Sequence, residues 1–478
     1  MEVRKIDNCR FEIPKSGGMR VPGIVYASPK MMQDILGDPC LEQVRNVAHL
    51  PGIVRASLAM PDIHWGYGFP IGGVAAVDEV EGVISPGGVG YDINCGVRLM
   101  TTRLHLDEVR PHLRSLVVQM GRDVPAGVGS HHAISTLDEE EMIEVLTRGA
   151  AWAVGYGYGK PEDLARCEEG GRLAWADPSA VSPKAIARGS DEVGTLGSGN
   201  HFLELQEVVE VFDAKVAGAF GLFPGQLTVM IHSGSRGLGY QVCDDYLREM
   251  GPAMKRYGIE LPDRQLASVP IHSDEGRRYL GAMAAAANFA WANRQVMMGL
   301  TQRAIQRVLQ ISEGDLGAAL LYDVCHNIAK REVHEVDGVP RRVLVHRKGA
   351  TRAFGPGSPE LPAIYRDLGQ PVLIPGDMGR ASYVLVGTKK AMTETFGSSC
   401  HGAGRVLSRH EAMRRARGRN IYDEMQARGV KVVSRAKKTL AEEMPEAYKD
   451  VSDVVDVLHE AGITRKVVRL RPVAVVKG

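Results

Sequence analysis

The segment Gly194-Thr-Leu-Gly-Ser-Gly-Asn-His-Phe-Leu-Glu-Leu-Gln-Glu-Val-Val-Glu-Val211 sets the pattern from which the fold class is read. Its second half, Phe202–Val211, is rich in branched and aromatic residues and follows a run of turn formers, which predicts a strand. Its first half, Gly194–Gly199, is a glycine-rich loop. Asn200 and His201 stand where the loop feeds the strand. Side chains alternate along a strand, so Asn200 and Glu204 share a face that His201 does not. For all three to serve one site, the strand must begin irregularly at Gly197–Gly199.

The same unit recurs along the chain. Short apolar runs at Val97–Leu104, Leu227–Ile231, Val343–His346, Val372–Ile374, Ser382–Val386 and Val467–Val476 read as further strands. Glycine-rich loops lie between them at 85–90, 233–239, 355–357, 376–379 and 397–404. Helix starts are also readable. Thr136 and Glu139 form a capping box ahead of Met142–Val154, and Ser408 and Glu411 form another ahead of a helix to about Gln426. Ser273 caps a long Ala-rich helix to about Gln310. Strands and helices intermix throughout, with no repeat and no linker. The expectation is one catalytic unit over residues 1–478 with a mixed α/β (α+β) fold, its sheets layered and flanked by helices.

Composition narrows the class. The chain has 478 residues with 58 basic and 57 acidic side chains, so bulk charge does not drive nucleic-acid binding, although a local basic groove remains compatible. Area scaling gives a folded surface of roughly 17,000 Å², enough burial to fold without a metal or disulfide staple. The N-terminus carries charges at Glu2, Arg4, Lys5 and Asp7 and no apolar core, so no secretory signal is expected. The most apolar stretch, Gly281–Leu300, contains Asn288, Asn293, Arg294 and Gln295, which predicts a buried helix rather than a membrane span. The seven cysteines are scattered without a Cys-x-x-Cys pair, which fits a reducing cytoplasm.

Chemistry concentrates in the loops. His64, His201, His232, His326 and His401 all sit at strand ends or beside glycines. Gly90-Tyr-Asp-Ile-Asn-Cys-Gly96 puts Asp92 and Cys95 three apart in a turn. A carboxylate, a thiolate and several imidazoles form a donor set suited to Mn, Zn or Fe rather than Ca or Mg. Read singly, each residue is equally a satisfied core side chain. Gly397-Ser-Ser-Cys-His-Gly-Ala-Gly-Arg405 is a candidate phosphate cradle, and a neutral His401 within it is a candidate nucleophile. Arg236 in Ser-Gly-Ser-Arg-Gly and the arginines from Arg405 to Arg419 read either as phosphate contacts or as a solvated face. No phosphate-binding Gly-x-x-x-x-Gly-Lys loop, dinucleotide Gly-x-Gly-x-x-Gly or Lys-x-Asp-Gly is present.

Together these motifs resemble the RtcB family of tRNA-splicing RNA ligases. The likeness is carried by Gly90–Arg98, Gly197–Glu204, His232–Gly237, Cys325-His-Asn327 and His401–Arg405, and it runs from about Gly23 to the closing Val-Lys-Gly. The resemblance implies the RtcB-like fold and a GTP- and Mn(II)-dependent enzyme. Such enzymes join RNA ending in a 2′,3′-cyclic phosphate or 3′-phosphate to a 5′-hydroxyl end. It assigns His401 as the residue that carries GMP. It assigns Asp92, Cys95, His201, His232 and His326 as ligands of two Mn ions, with Cys95 as the bridge. Asn200, Glu204, Ser382, Tyr448 and Lys477 match guanylate contacts; apart from the resemblance, Arg236 and Arg405 are read from their charge and loop context as contacts to RNA phosphates. Asp377 departs from relatives that carry Ser there. A monomer in the cytoplasm is expected, away from membranes, with archease as candidate activating partner. The competing classes are a two-metal phosphodiesterase acting on RNA ends and a metal-stabilised RNA-binding module. Both lack a covalent nucleotide.

Overall fold

The strand Phe202–Val211 forms with the predicted bounds and lies in the middle of an eight-stranded sheet. The computed structural model describes all 478 residues. From one edge, the sheet runs Ala319–Cys325, Gly96–His105, Gln226–Ser233, Phe202–Val211, Thr464–Lys477, Ser382–Gly387 and Pro371–Ile374, each pair antiparallel. Lys431–Ser434 pairs in parallel with Thr464–Lys477 as a branch. A seven-stranded sheet joins the N-terminal strands, ending in Ser57–His64 and Ile71–Asp78, to the hairpin Asn327–Val336 and Val339–Lys348. The fold is therefore mixed α/β, as expected. Its accessible surface is 17591 Å².

Register decides where the loops go. Gly96 lies opposite Ser233 and Cys325, Phe202 lies opposite His232, and Lys477 lies opposite Phe202. Five strands thus end level. Cys95, His201, His232, His326 and Lys477 consequently emerge at one edge, although up to 382 positions separate them in sequence. The strand begins at Phe202 after Gly199, whose φ is +73°, so Asn200 and His201 precede the regular alternation. This is the irregular start that the parity argument required.

The helix Asp274–Leu309 fills the space behind that edge. Ser273 caps it as predicted, accepting from the Gly276 N–H at 3.1 Å. Its apolar surface is interrupted by polar side chains that are fully buried. Asn293 accepts from the Gly194 N–H at 2.7 Å and donates to Gly234 O at 3.2 Å. Arg294 donates to Asp323 at 2.8 and 2.9 Å, to Asn94 O at 2.7 Å and to Ser233 O at 2.9 Å. Arg98 donates to the same Asp323 carboxylate at 2.7 Å. No helix of the structure is long and apolar enough to cross a membrane.

Two helix readings are corrected. The first box is formed by Asp138 and Glu141, two residues later than the Thr136–Glu139 reading, and that helix stops at Arg148 because Gly149 takes φ +57°. Asp outcompetes Thr as the cap because its carboxylate also meets the helix dipole. The helix capped by Ser408 ends at Arg415, and Ile421–Ala427 is separate, with Gly418 at φ +76° between them. The first five strands of the seven-stranded sheet, and Ala319–Cys325 and Asn327–Val336, lie outside the predicted set.

Removing one member of a buried, hydrogen-bonded charge network leaves its partners desolvated and unpaired, at a cost of about 3–5 kcal/mol. Arg294→Met is expected to lose that much in urea unfolding. Arg294→Lys should recover little, because an ammonium cannot span Asp323, Asn94 O and Ser233 O as the planar fork does.

Candidate functional site

Two ligand clusters meet at Cys95. Its Sγ lies 3.2 Å from His201 Nε2 and 3.3 Å from His232 Nε2. Asp92 Oδ2 is 2.8 Å from His201 Nε2, and His232 Nε2 is 3.3 Å from His326 Nε2. Asp92, Cys95 and His201 form one three-donor group, and Cys95, His232 and His326 form the other, with all donor atoms within 4.8 Å in each. Ions bound at ~2.0–2.3 Å would bring donors to about such mutual spacings. Glycine makes the approach possible. A Cβ on Gly234 would stand 2.2 Å from the Asp92 carboxylate, and one on Gly197 2.1 Å from His201. Asn327 fixes the Asp92 loop by donating to Asp92 O at 3.0 Å and accepting through its own backbone O from the Asn94 N–H at 2.7 Å.

Electrostatics suit metal binding. Burial, with neighbouring imidazoles adding to it, holds His232 and His326 well below the usual histidine range, so both rings are neutral and present lone pairs. Burial works against the Asp92 carboxylate, but His201 and Arg236 outweigh it and hold the group at about 2. Burial and the Asp92 charge push the Cys95 thiol well up, so an ion that binds there displaces a proton.

His401 follows the short strand Ser398–Cys400, which pairs with Ala350–Arg352. Its ring centroid is 4.9 Å from that of His326. The sequence reading missed its partner, Asp62. The Asp62 carboxylate is 2.6 Å from His401 Nδ1 and accepts from the His401 and Gly402 N–H groups at 2.9 and 3.3 Å. Burial opposes its charge, yet His401 holds it below the ordinary carboxylate range. With Nδ1 taken up by Asp62, Nε2 is the ring nitrogen left without a carboxylate partner. The missed signal was an acid inside the otherwise apolar Leu58-Ala-Met-Pro-Asp-Ile63, where an unpaired charge would be costly. His64 Nδ1 donates to Asp62 O at 2.9 Å, and burial drives its pKa down to about 4.

One cavity opens beside His401 and brings together Asn200, Glu204, Tyr448 and Lys477. Burial pushes Glu204 up to about 8 and Lys477 down. Glu443, also absent from the sequence reading, lies 3.8 Å from Lys477 Nζ. Arg405 belongs to this wall. It donates to Glu443 at 3.0 Å and Tyr448 Oη at 3.1 Å, and its guanidinium lies over the Tyr448 ring. Ser382 stands one layer behind, its Oγ accepting from Gln206 at 3.1 Å and the Gly376 N–H at 3.3 Å. Asp377 reaches the cavity, but its carboxylate is fully covered, accepting from the Gly379 N–H at 2.9 Å with Arg380 Nε 3.2 Å away.

Arg236 lies beside the Asp92 group. It donates to Thr195 Oγ1 at 3.1 Å and Ser130 Oγ at 3.0 Å. Arg409 bears on both the cavity and the Asp92 side, and it enters no ion pair. Arg414 and Arg415 pair with Glu411 on an exposed helix face.

The family model described as tRNA-splicing ligase RtcB matches residues 43–478. The tRNA-splicing ligase RtcB of Archaeoglobus fulgidus is 56% identical over 478 residues, covering 100% of this chain and 99% of that protein. That of Thermococcus kodakarensis is 55% identical over 477 residues, again 100% and 99%. The RNA-splicing ligase RtcB of Mycobacterium tuberculosis is 53% identical over 438 residues, 91% of this chain and 100% of that protein. The chain belongs to the RtcB family.

Asp377 yields a pH test. Burial raises its pKa to about 6, so between pH 4 and 6 the folded state holds a proton that the unfolded chain releases. Its stability contribution therefore falls as pH rises through that window and stays low above it. Asp377→Asn should match the parent near pH 4 and exceed it by up to about 3 kcal/mol at pH 8 in denaturant unfolding.

Proposed function

We propose that the protein is an RNA ligase that seals a 3′-phosphate or 2′,3′-cyclic phosphate end to a 5′-hydroxyl end in tRNA splicing or RNA repair, using GTP. The observation that carries this reading is the 2.6 Å pair Asp62–His401, with the His401 ring beside His326 of the ligand clusters and on the wall of the cavity. Two Mn(II) ions, held by Asp92–Cys95–His201 and Cys95–His232–His326, would supply Lewis-acid charge to the phosphoryl oxygens.

His401 Nε2 attacks the α-phosphorus of GTP. The N–P bond forms, and the bond to the bridging oxygen breaks, releasing pyrophosphate. Asp62 stabilises the charge that develops on the imidazole. An RNA 3′-phosphate oxygen then takes the GMP and frees His401. A cyclic end is first opened by water. Finally the 5′-hydroxyl attacks the RNA phosphorus, loses its proton to solvent and expels GMP. Glu204 and Lys477 would read the guanine edge as acceptor and donor, Asn200 and Tyr448 would bound the nucleotide, and Asp377 and Ser382 would shape the pocket from beneath. Arg405 would brace Tyr448 close to the RNA phosphate, and Arg236 would face the RNA. The reading carries a monomeric cytoplasmic enzyme, with archease as activating partner. The seven cysteines, all free and buried, are compatible with a reducing compartment.

A phosphodiesterase built on the same donors has no use for a carboxylate-oriented histidine beside a cavity lined by Asn200, Glu204, Tyr448 and Lys477. The protein should take label from α-labelled GTP only with Mn(II) or a similar ion, and lose it in mild acid, as an N–P bond does. His401→Ala should take none, yet still join RNA whose 3′-phosphate already carries GMP. Sealing of ordinary 3′-phosphate RNA by His401→Ala with GTP would reject this nucleophile.

A further inference from the structure

A second opening, which shares Asn200 and Arg409 with the His401 cavity, also reaches the ligand clusters. Asp92 and His201 stand at its base, Arg236 and Arg409 at its sides, and Tyr91 and Tyr240 along one wall. Tyr91 precedes Asp92 in the chain. Tyr240 lies one turn into the helix Arg236–Arg256. Their rings stack with centroids 4.8 Å apart and 25° between planes. Tyr67 meets Tyr91 edge-on at 5.5 Å and 72°. Tyr91 is therefore backed on more than one side, whereas Tyr240 has a partner on one face only and is 50% exposed. Its helix neighbours Leu238, Gly239, Gln241 and Val242 are buried, so the helix has turned this one ring outward. The aromatic stack ends in a free face at the mouth of an opening that leads to the metal-type ligands.

A rigid aromatic face beside cations is the arrangement that holds an unpaired nucleobase and its phosphate. Arg409 enters no ion pair, whereas the Arg236 guanidinium, held by Thr195, Ser130 and Gly127, also has the Glu192 carboxylate 3.9 Å away, so the Arg409 cation is the one left free at this mouth. The direction of the proposed reaction assigns the strand. A phosphoryl transfer places attacking and leaving oxygens on opposite sides of phosphorus. GMP leaves from the His401 cavity, so the attacking 5′-hydroxyl strand needs its own approach to the clusters, and this neighbouring opening offers one. Resting on the ligase reading, we propose that Tyr240, backed by Tyr91, is a stacking platform for the terminal base of the 5′-hydroxyl RNA strand. Stacking tolerates any base, so the platform selects an unpaired end rather than a sequence.

The test uses a 5′-hydroxyl RNA with fluorescent 2-aminopurine as its first nucleotide. The full-length protein should quench that fluorescence on binding, and Tyr240→Phe should do the same. Tyr240→Ala should bind without quenching and raise the KM for this strand about 5- to 100-fold, while GTP labelling of His401 stays unchanged. An RNA with an abasic first nucleotide should bind the parent as weakly as Tyr240→Ala does and lose nothing further in the variant. Undiminished quenching and KM in Tyr240→Ala, in a protein that still labels and joins RNA, overturn the platform alone. Quenching of a label on the 3′-phosphate strand instead overturns the strand assignment. A parent protein that neither labels nor joins RNA overturns the ligase reading, and the platform with it.

Discussion

The Arg294 guanidinium is the contact on which the site's geometry depends. It pairs with Asp323 and donates to the carbonyls of Asn94 and Ser233, in a region where no side-chain atom of Arg294 or Asp323 meets solvent. Asn94 precedes Cys95, Ser233 follows His232, and Asp323 stands three residues before His326. One planar cation thus ties three ligand-bearing segments to one helix. Asn293 adds the loop before His201 through Gly194 and Gly234. Desolvating these groups is expensive, and only a complete set of partners offsets it. The arrangement tolerates little slack, which a site of converging ligand atoms requires.

The sheet supplies the other half of the constraint. Level strand ends bring four ligands and Lys477 to one edge, and glycines at 197 and 234 let backbone pass against side chains. His401 arrives from a different piece of structure. Its strand is held by Arg347, which donates to Ser398 Oγ at 2.8 Å and Phe396 O at 2.7 Å while pairing with Glu332. The proposed nucleophile and the proposed metal ligands are therefore positioned by separate buried arginines, and Asp62 adjusts only the final orientation of the ring.

Legibility in the sequence followed local pattern. Six strands of the eight-stranded sheet stand out as branched apolar runs, Phe202–Val211 to the residue, whereas Ala319–Cys325 and Lys431–Ser434 do not. Of the other sheet only Val343–His346, inside the strand Val339–Lys348, stands out. Ile71–Asp78 has glycines at its second and third positions, and Asn327–Val336 alternates with Lys330, which pairs with Glu168 and Glu169, and with Glu332 and His334, which pair with each other and, through Glu332, with Arg347. Charged positions of that kind read as solvent-facing until their partners are known. Asp62 was invisible as a partner because 339 positions separate it from His401. Arg294 was legible as an argument against a membrane span, but nothing local revealed what it holds. The candidate ligands and His401 were named from motifs. Their convergence, the covered carboxylate of Asp377 and the withdrawn hydroxyl of Ser382 required the folded chain.

On the proposed assignment Cys95 belongs to two metal-binding groups at once. Mn(II) titrated into metal-free protein tests it through electron paramagnetic resonance. The account predicts that the second equivalent converts the signal of isolated ions into that of a magnetically coupled pair, because one thiolate joins both. Two equivalents that bind and retain the hyperfine pattern of independent Mn(II) ions would contradict it.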